Sequence, residues 1–214
     1  MTERPIVFIS STIFDFADMR SALKYWLEEI GYEVSLSEYS DFRKPLDQNS
    51  YEACIQAVGQ AQYFILLIGG RVGGYHDVAE KVSITRMEYR AAYERVTAGS
   101  MKMLIFVRDT IWTIREDRRS LAKMLQESYR QQYEIPDEAV AAVAKHQSTF
   151  INDAEAIFGF LDEVSRKEEM KIAISGKGQF PIANWIHPFS TFRDIVDAVR
   201  VGFGASLPLR AKVV

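Results

Sequence analysis

Cysteine is nearly absent. Cys54 is the single one in 214 residues, which excludes an internal disulfide and any cysteine-rich zinc site. A reducing, cytoplasmic setting fits that usage. Histidine is almost as scarce, and His76, His146 and His187 lie too far apart for paired ligand spacing, so no metal centre is expected. A one-sided charge is missing as well: 26 basic and 29 acidic side chains leave −3, without the basic footprint of a dedicated nucleic-acid binder. The longest apolar run, Tyr63–Ile68, falls far short of the roughly 20 residues that span a bilayer. Met1–Pro5 lacks the charged start and apolar stretch of a secretory signal, so neither a membrane nor an export segment is expected.

What is present is enough apolar material, 48% of the chain, for one sizeable core. Ile6–Ile9 is rich in β-branched residues, as a strand buried on both faces should be. Phe16, Met19, Leu23, Trp26, Leu27 and Ile30 then recur at helical spacing, and Gly31 is placed to end that helix. Glu33–Ser37 reads as a second strand, Tyr51, Cys54, Ile55 and Val58 mark a helix, and Tyr63–Ile68 is the third, central strand. After a glycine-rich loop come a helix over Ser83–Val96 and a fourth strand over Met103–Val107. Strands alternating with helices imply an α/β doubly wound, mainly parallel sheet. The segment from about 110 to 166 breaks that rhythm and reads as two or three inserted helices, carrying Leu121, Met124, Ile157, Phe160, Leu161 and Val164. Pro181–Ile186 is expected as the fifth strand, in the order 2-1-3-4-5, and Thr191–Val201 as the closing helix. Residues 1–205 are thus expected to form one domain, and 206–214 a tail.

Three motifs in order carry a resemblance. Val7-Phe-Ile-Ser-Ser-Thr12 with Asp15, then Tyr63-Phe-Ile-Leu-Leu-Ile-Gly-Gly-Arg-Val-Gly73, then Ser83-Ile-Thr-Arg-Met-Glu-Tyr-Arg-Ala-Ala92, together resemble domain-of-unknown-function family 4062. That family is in turn similar to TIR domains and nucleoside deoxyribosyltransferases, which share a flavodoxin-like sheet. The resemblance implies a five-stranded TIR-like fold and, in catalytic members, a glutamate on the helix after the third strand acting on a ribosyl N-glycosidic bond. Glu88 is the matching position. It also implies a module of bacterial defence signalling, with a nucleotide or nucleoside as ligand, NAD among the candidate substrates, and no required cofactor.

The residues themselves leave two readings open. Glu88 follows Met87 in a helix whose sheet-facing stripe should comprise Ile84, Met87 and Ala91, so it is expected at the flank of that stripe, near the crevice above the strand ends. A carboxylate there can stabilise an oxocarbenium-like transition state, hold ribose hydroxyls or act as nucleophile; the plainer alternative is a solvated helix glutamate. Ser10, Ser11 and Thr12 follow the first strand, where hydroxyls and N–H groups suit a phosphate or ribose, although Thr12 and Asp15 also satisfy the spacing of a capping box. In Gly69–Gly74, Gly70 would let backbone approach a ligand while Arg71 pairs a phosphate or carboxylate; the alternative is a flexible connector. Glu38 and Tyr39, after the second strand, are candidates for the lining of the same crevice, and Cys54 reads as core. The expectation is therefore a nucleotide-binding protein that hydrolyses or transfers at a glycosidic bond, against a non-catalytic interaction module that works as a homo-oligomer or with a signalling partner.

Overall fold

Ile6–Ser11 (β1) and Tyr63–Ile68 (β3) lie side by side at the centre of the sheet, in a register that pairs Val7 with Tyr63 and Ser11 with Leu67. All six residues of β3 are buried, which explains why it reads as an unbroken apolar run rather than an alternating one. A computed structural model describes residues 4–42, 47, 49–77, 79–129, 135–183 and 185–204, so the expected tail lies outside the described residues. Glu33–Ser35 (β2), Lys102–Arg108 (β6) and Ile186–Phe189 (β7) complete an all-parallel sheet in the order β2-β1-β3-β6-β7, a flavodoxin-like arrangement. The gap in numbering is a small antiparallel hairpin, Tyr75–Asp77 (β4) with Val82–Ser83 (β5), inside the stretch that reads from sequence as a connector.

Successive β1 side chains point to opposite faces. Val7 and Ile9 meet Phe16, Leu23 and Leu27 of Ile13–Glu29 (α1), together with Ile195, Val199 and Phe203 of the closing helix Phe192–Phe203, which we label α8. Phe8 looks the other way, stacked on Phe64, toward Ser50–Gln60 (α2) and Ile84–Thr97 (α3). That alternation sends Ser10 to the α3 side and Ser11 to the α1 side, and the site depends on it.

The insertion holds Asp109–Met124 (α4), a π-helical turn at Leu125–Tyr129, Asp137–Lys145 (α5), Ala154–Val164 (α6) and Lys167–Ile174 (α7). It thus runs past the expected boundary near 166 by one helix. Ile157, Phe160, Leu161 and Val164 join the core on the α3 face, whereas Leu121 and Met124 are exposed. Ion pairs fasten the layers: Glu163 accepts from Arg86 at 2.5 Å and Arg90 at 2.6 Å, and Asp162 gathers Arg115, Arg119 and Lys167.

Two expectations need correction. The fifth strand is Ile186–Phe189, not Pro181–Ile186; Ile105 pairs with Ile186 and Arg108 with Phe189, and Trp185 just upstream is 80% exposed. Pro188 disguised this strand, yet an edge position tolerates a residue with no N–H. On α3, the buried face is Glu88, Tyr89, Ala92 and Val96 rather than Ile84, Met87 and Ala91, so Glu88 points into the molecule and not along its flank.

Candidate functional site

Above the carboxyl ends of β1 and β3 lies a cavity of about 560 Å³. That position is where open parallel sheets build ligand sites, and the size suits a small molecule. Its walls are the start of α1, the first turns of α2 and α3, and the turn after β3, with Asn152 reaching in from the insertion.

Glu88 forms one wall. Ser83 caps α3 by accepting the Arg86 N–H at 3.2 Å, which fixes the helix start and brings Glu88 over the end of β1. There the Ser10 hydroxyl donates to Glu88 Oε2 at 2.5 Å, with Ser10 1% and Glu88 6% exposed. Burial pushes the Glu88 carboxyl up to about 7, against the hydroxyl of Ser10, the charge of Arg20 and the Cys54 thiol, all of which favour the anion. Both protonation states are therefore populated near neutral pH, a property typical of groups that exchange protons. Cys54, also on the wall, has its thiol pushed up to about 12 by burial and the neighbouring Glu88, which makes it a hydrogen-bond donor and not a nucleophile.

Arg20, 3% exposed, lies beneath the same crevice. Its guanidinium grips Glu38 in a two-pronged pair, Nε to Oε1 at 2.5 Å and Nη2 to Oε2 at 2.7 Å. Nη1 donates to the Ile9 carbonyl at 3.1 Å and to Ser11 Oγ at 2.8 Å. Burial alone would raise the Glu38 carboxyl, but the ion pair with Arg20 outweighs it and holds Glu38 below its ordinary range. Arg20 went unnoticed in the sequence, although it interrupts the stripe Phe16, Leu23, Leu27 at helical spacing, and a charge inside an apolar stripe is a readable sign of a buried ion pair. Glu38 reaches the site through Arg20; Tyr39 packs instead on the α1 side of the core.

The remaining candidates divide. Ser11 and Thr12 both line the cavity, with Ser11 held by Arg20. The capping-box reading of Thr12 and Asp15 is not met. Thr12 makes no capping bond from its side chain and α1 kinks at Phe16. The Asp15 carboxylate accepts the Thr12 hydroxyl at 3.1 Å and the Arg71 N–H at 3.0 Å, so it braces the turn after β3. Arg71 is on the cavity wall, its side chain 50% exposed, with its guanidinium 3.7 Å over the Phe14 ring and its Nε 3.5 Å from Asp15. Gly70 does not line the cavity. A Cβ there would come within 1.8 Å of the Phe150 carbonyl oxygen, and the Gly70 carbonyl accepts the Asn152 N–H at 3.0 Å, so this glycine admits the insertion and not a ligand.

A second void, about 30 Å³, adjoins the first at Thr12, Arg71 and Thr85 and extends against Arg86 and Phe160; it has room for a water or two and does not include Glu88. Among the described residues no group of three or more His, Cys, Asp or Glu side chains could hold a metal ion, and no helix is long and apolar enough to cross a membrane.

Fold and site together define a flavodoxin-like α/β protein with a buried carboxyl, Glu88, in the wall of a cavity at the carboxyl edge of its sheet. More particularly, the family model described as "Domain of unknown function (DUF4062)" matches residues 6–200, and the chain belongs to that family. No curated protein and no solved structure matches the chain.

Proposed function

We propose that the protein is a TIR-like nucleotide-binding enzyme that breaks or transfers the N-glycosidic bond of a nucleoside or nucleotide, NAD included, in defence signalling. The observation that carries this is Glu88, a carboxyl buried at the cavity wall, hydrogen-bonded by Ser10 and balanced between its charged and neutral forms near pH 7. As the bond from the sugar carbon to the base nitrogen breaks, its electron pair leaves with the base and positive charge grows on the sugar. Glu88 in its anionic form stabilises that charge or bonds to the sugar carbon directly; water or an acceptor hydroxyl then completes hydrolysis or transfer. Ser11 and Thr12 hold the sugar and Arg71 an attached phosphate.

The test is incubation of the purified protein with NAD and with individual nucleosides, with chromatography to detect released base. Release that disappears in Glu88→Gln supports the reading; no release from any of them at any protein concentration opposes it.

A second reading is favoured by a separate feature. Ile172, Ile174, Phe180, Ile182 and Trp185 are all exposed within one short stretch of chain, and exposed large apolar side chains are what interaction surfaces are built from. A non-catalytic module that assembles through this surface, with itself or a signalling partner, would keep the fold and need no turnover.

A further inference from the structure

Of the two cations on the cavity wall among the described residues, Arg71 has a half-exposed side chain and Arg20 is buried. The stem of Arg20 is fixed between Phe16 and Leu23, one turn to either side on α1 and both fully buried. Its head is fixed by Glu38, which takes Nε and Nη2 and so sets the plane of the guanidinium fork. What remains is Nη1, turned to the end of β1, where it donates to the Ile9 carbonyl and to Ser11 Oγ at 2.8 Å. Ser11 is anchored independently, as the last residue of β1 in register with Leu67.

The consequence falls on the Ser11 hydroxyl. A serine oxygen has one proton and two lone pairs. With a charged N–H on one lone pair, the oxygen becomes a poorer acceptor and its O–H a stronger donor. Among the described residues that proton has only a long contact, 3.3 Å to the carbonyl of the adjacent Thr12. Ser10 is set the other way: its proton is committed to Glu88 Oε2 at 2.5 Å. Two neighbouring hydroxyls at one strand end are thus prepared for different work. One serves the carboxyl, and the other, in a residue that lines the cavity, has a strengthened and weakly held proton.

We propose that Arg20 is a positioning residue for the ligand: it acts through Ser11, holding that hydroxyl as a donor to an acceptor oxygen of the bound sugar. This rests on the ribosyl reading of the cavity given above and deepens it. The guanidinium itself does not touch the ligand. Glu38 belongs to the same device, because its two-pronged grip keeps the fork turned to Ser11.

The experiment is a double-mutant cycle on the full chain, read by calorimetric titration with ribose 5-phosphate and with NAD. Ser11→Ala is expected to weaken binding about tenfold, the loss of one hydrogen bond to the ligand. Arg20→Lys keeps the charge but not the fork and should weaken it about threefold. Glu38→Gln, which loosens the fork and leaves Arg20 in place, acts in the same direction and carries the cycle if Arg20→Lys does not fold. In the Ser11→Ala background neither substitution has any further effect. A merely structural role gives no such dependence, since a distorted cavity weakens binding with or without the Ser11 hydroxyl. A loss that persists undiminished in Ser11→Ala, or Arg20→Lys and Glu38→Gln that bind as tightly as the wild type, overturns the positioning role and leaves the ribosyl reading standing. A wild type that binds neither ribose 5-phosphate nor NAD overturns both.

Discussion

Two ionisable side chains are buried within one cavity, and the protein treats them in opposite ways. Arg20 is met by a carboxylate, a carbonyl and a hydroxyl in good geometry, and the ion pair holds Glu38 charged. Glu88 is offered the hydroxyl of Ser10 and the thiol of Cys54, both neutral, and its carboxyl rises to about 7. The difference separates two uses of burial. A compensated charge fixes structure: Arg20 ties α1 to the ends of β1 and β2. An under-compensated one costs stability when ionised and remains reactive, because little is lost when it takes up or gives away a proton.

Glu88→Gln breaks the contrast most sharply. It should lower glycosidic turnover about a thousandfold, since Gln keeps the size and hydrogen-bonding reach but not the charge. It should also change the pH dependence of stability. With the folded value raised from 4.5 to about 7, the unfolded chain loses this proton first, so wild-type stability falls as pH rises between those values and stays reduced above them. At about 1.4 kcal/mol per unit, the wild type should lose about 3 kcal/mol relative to Glu88→Gln between pH 4.5 and 8, read from urea unfolding at both pH values.

Arg20→Met attacks the other member. It strands Glu38 and removes the brace on Ser11, at a cost of about 3 kcal/mol in the same unfolding measurement. Equal stability would mean that the ion pair is ornamental. Ser10→Ala is gentler: losing a donor that favours the anion should move the Glu88 titration about one unit further up, visible by carbon NMR of labelled glutamate and as an alkaline shift of the activity profile. Cys54→Ala should move it the same way but less, because a thiol is the weaker donor. A titration that moves down in either variant contradicts the assigned hydrogen bonds.

Much of this was legible beforehand, for identifiable reasons. The sheet order follows from runs such as Tyr63–Ile68 that only a doubly covered strand can carry, and parallel strands converge their following turns on one edge, which is why Ser10 and Glu88 meet. Features that depend on partners distant in sequence were hidden. Glu88 was expected on the flank of α3 because sequence patterns assign buried faces to apolar residues, and this helix buries an acid. Asp15 has the spacing of a cap, but its partner, the Arg71 N–H, lies 56 residues away. Gly70 announced a close approach without saying of what, and the Phe150 carbonyl it admits lies in the insertion.

The rims of the sheet have a bearing on how this protein behaves in a crowded cell. β2 is three residues long and β7 four, with Pro188 withdrawing one donor from the outer rim. Neither border offers a long, regular template on which a foreign strand could lengthen the sheet. Chains brought together at high local concentration are thereby steered away from fibre-like growth, and any association is left to helical and loop surfaces, where contacts form and part without recruiting the backbone.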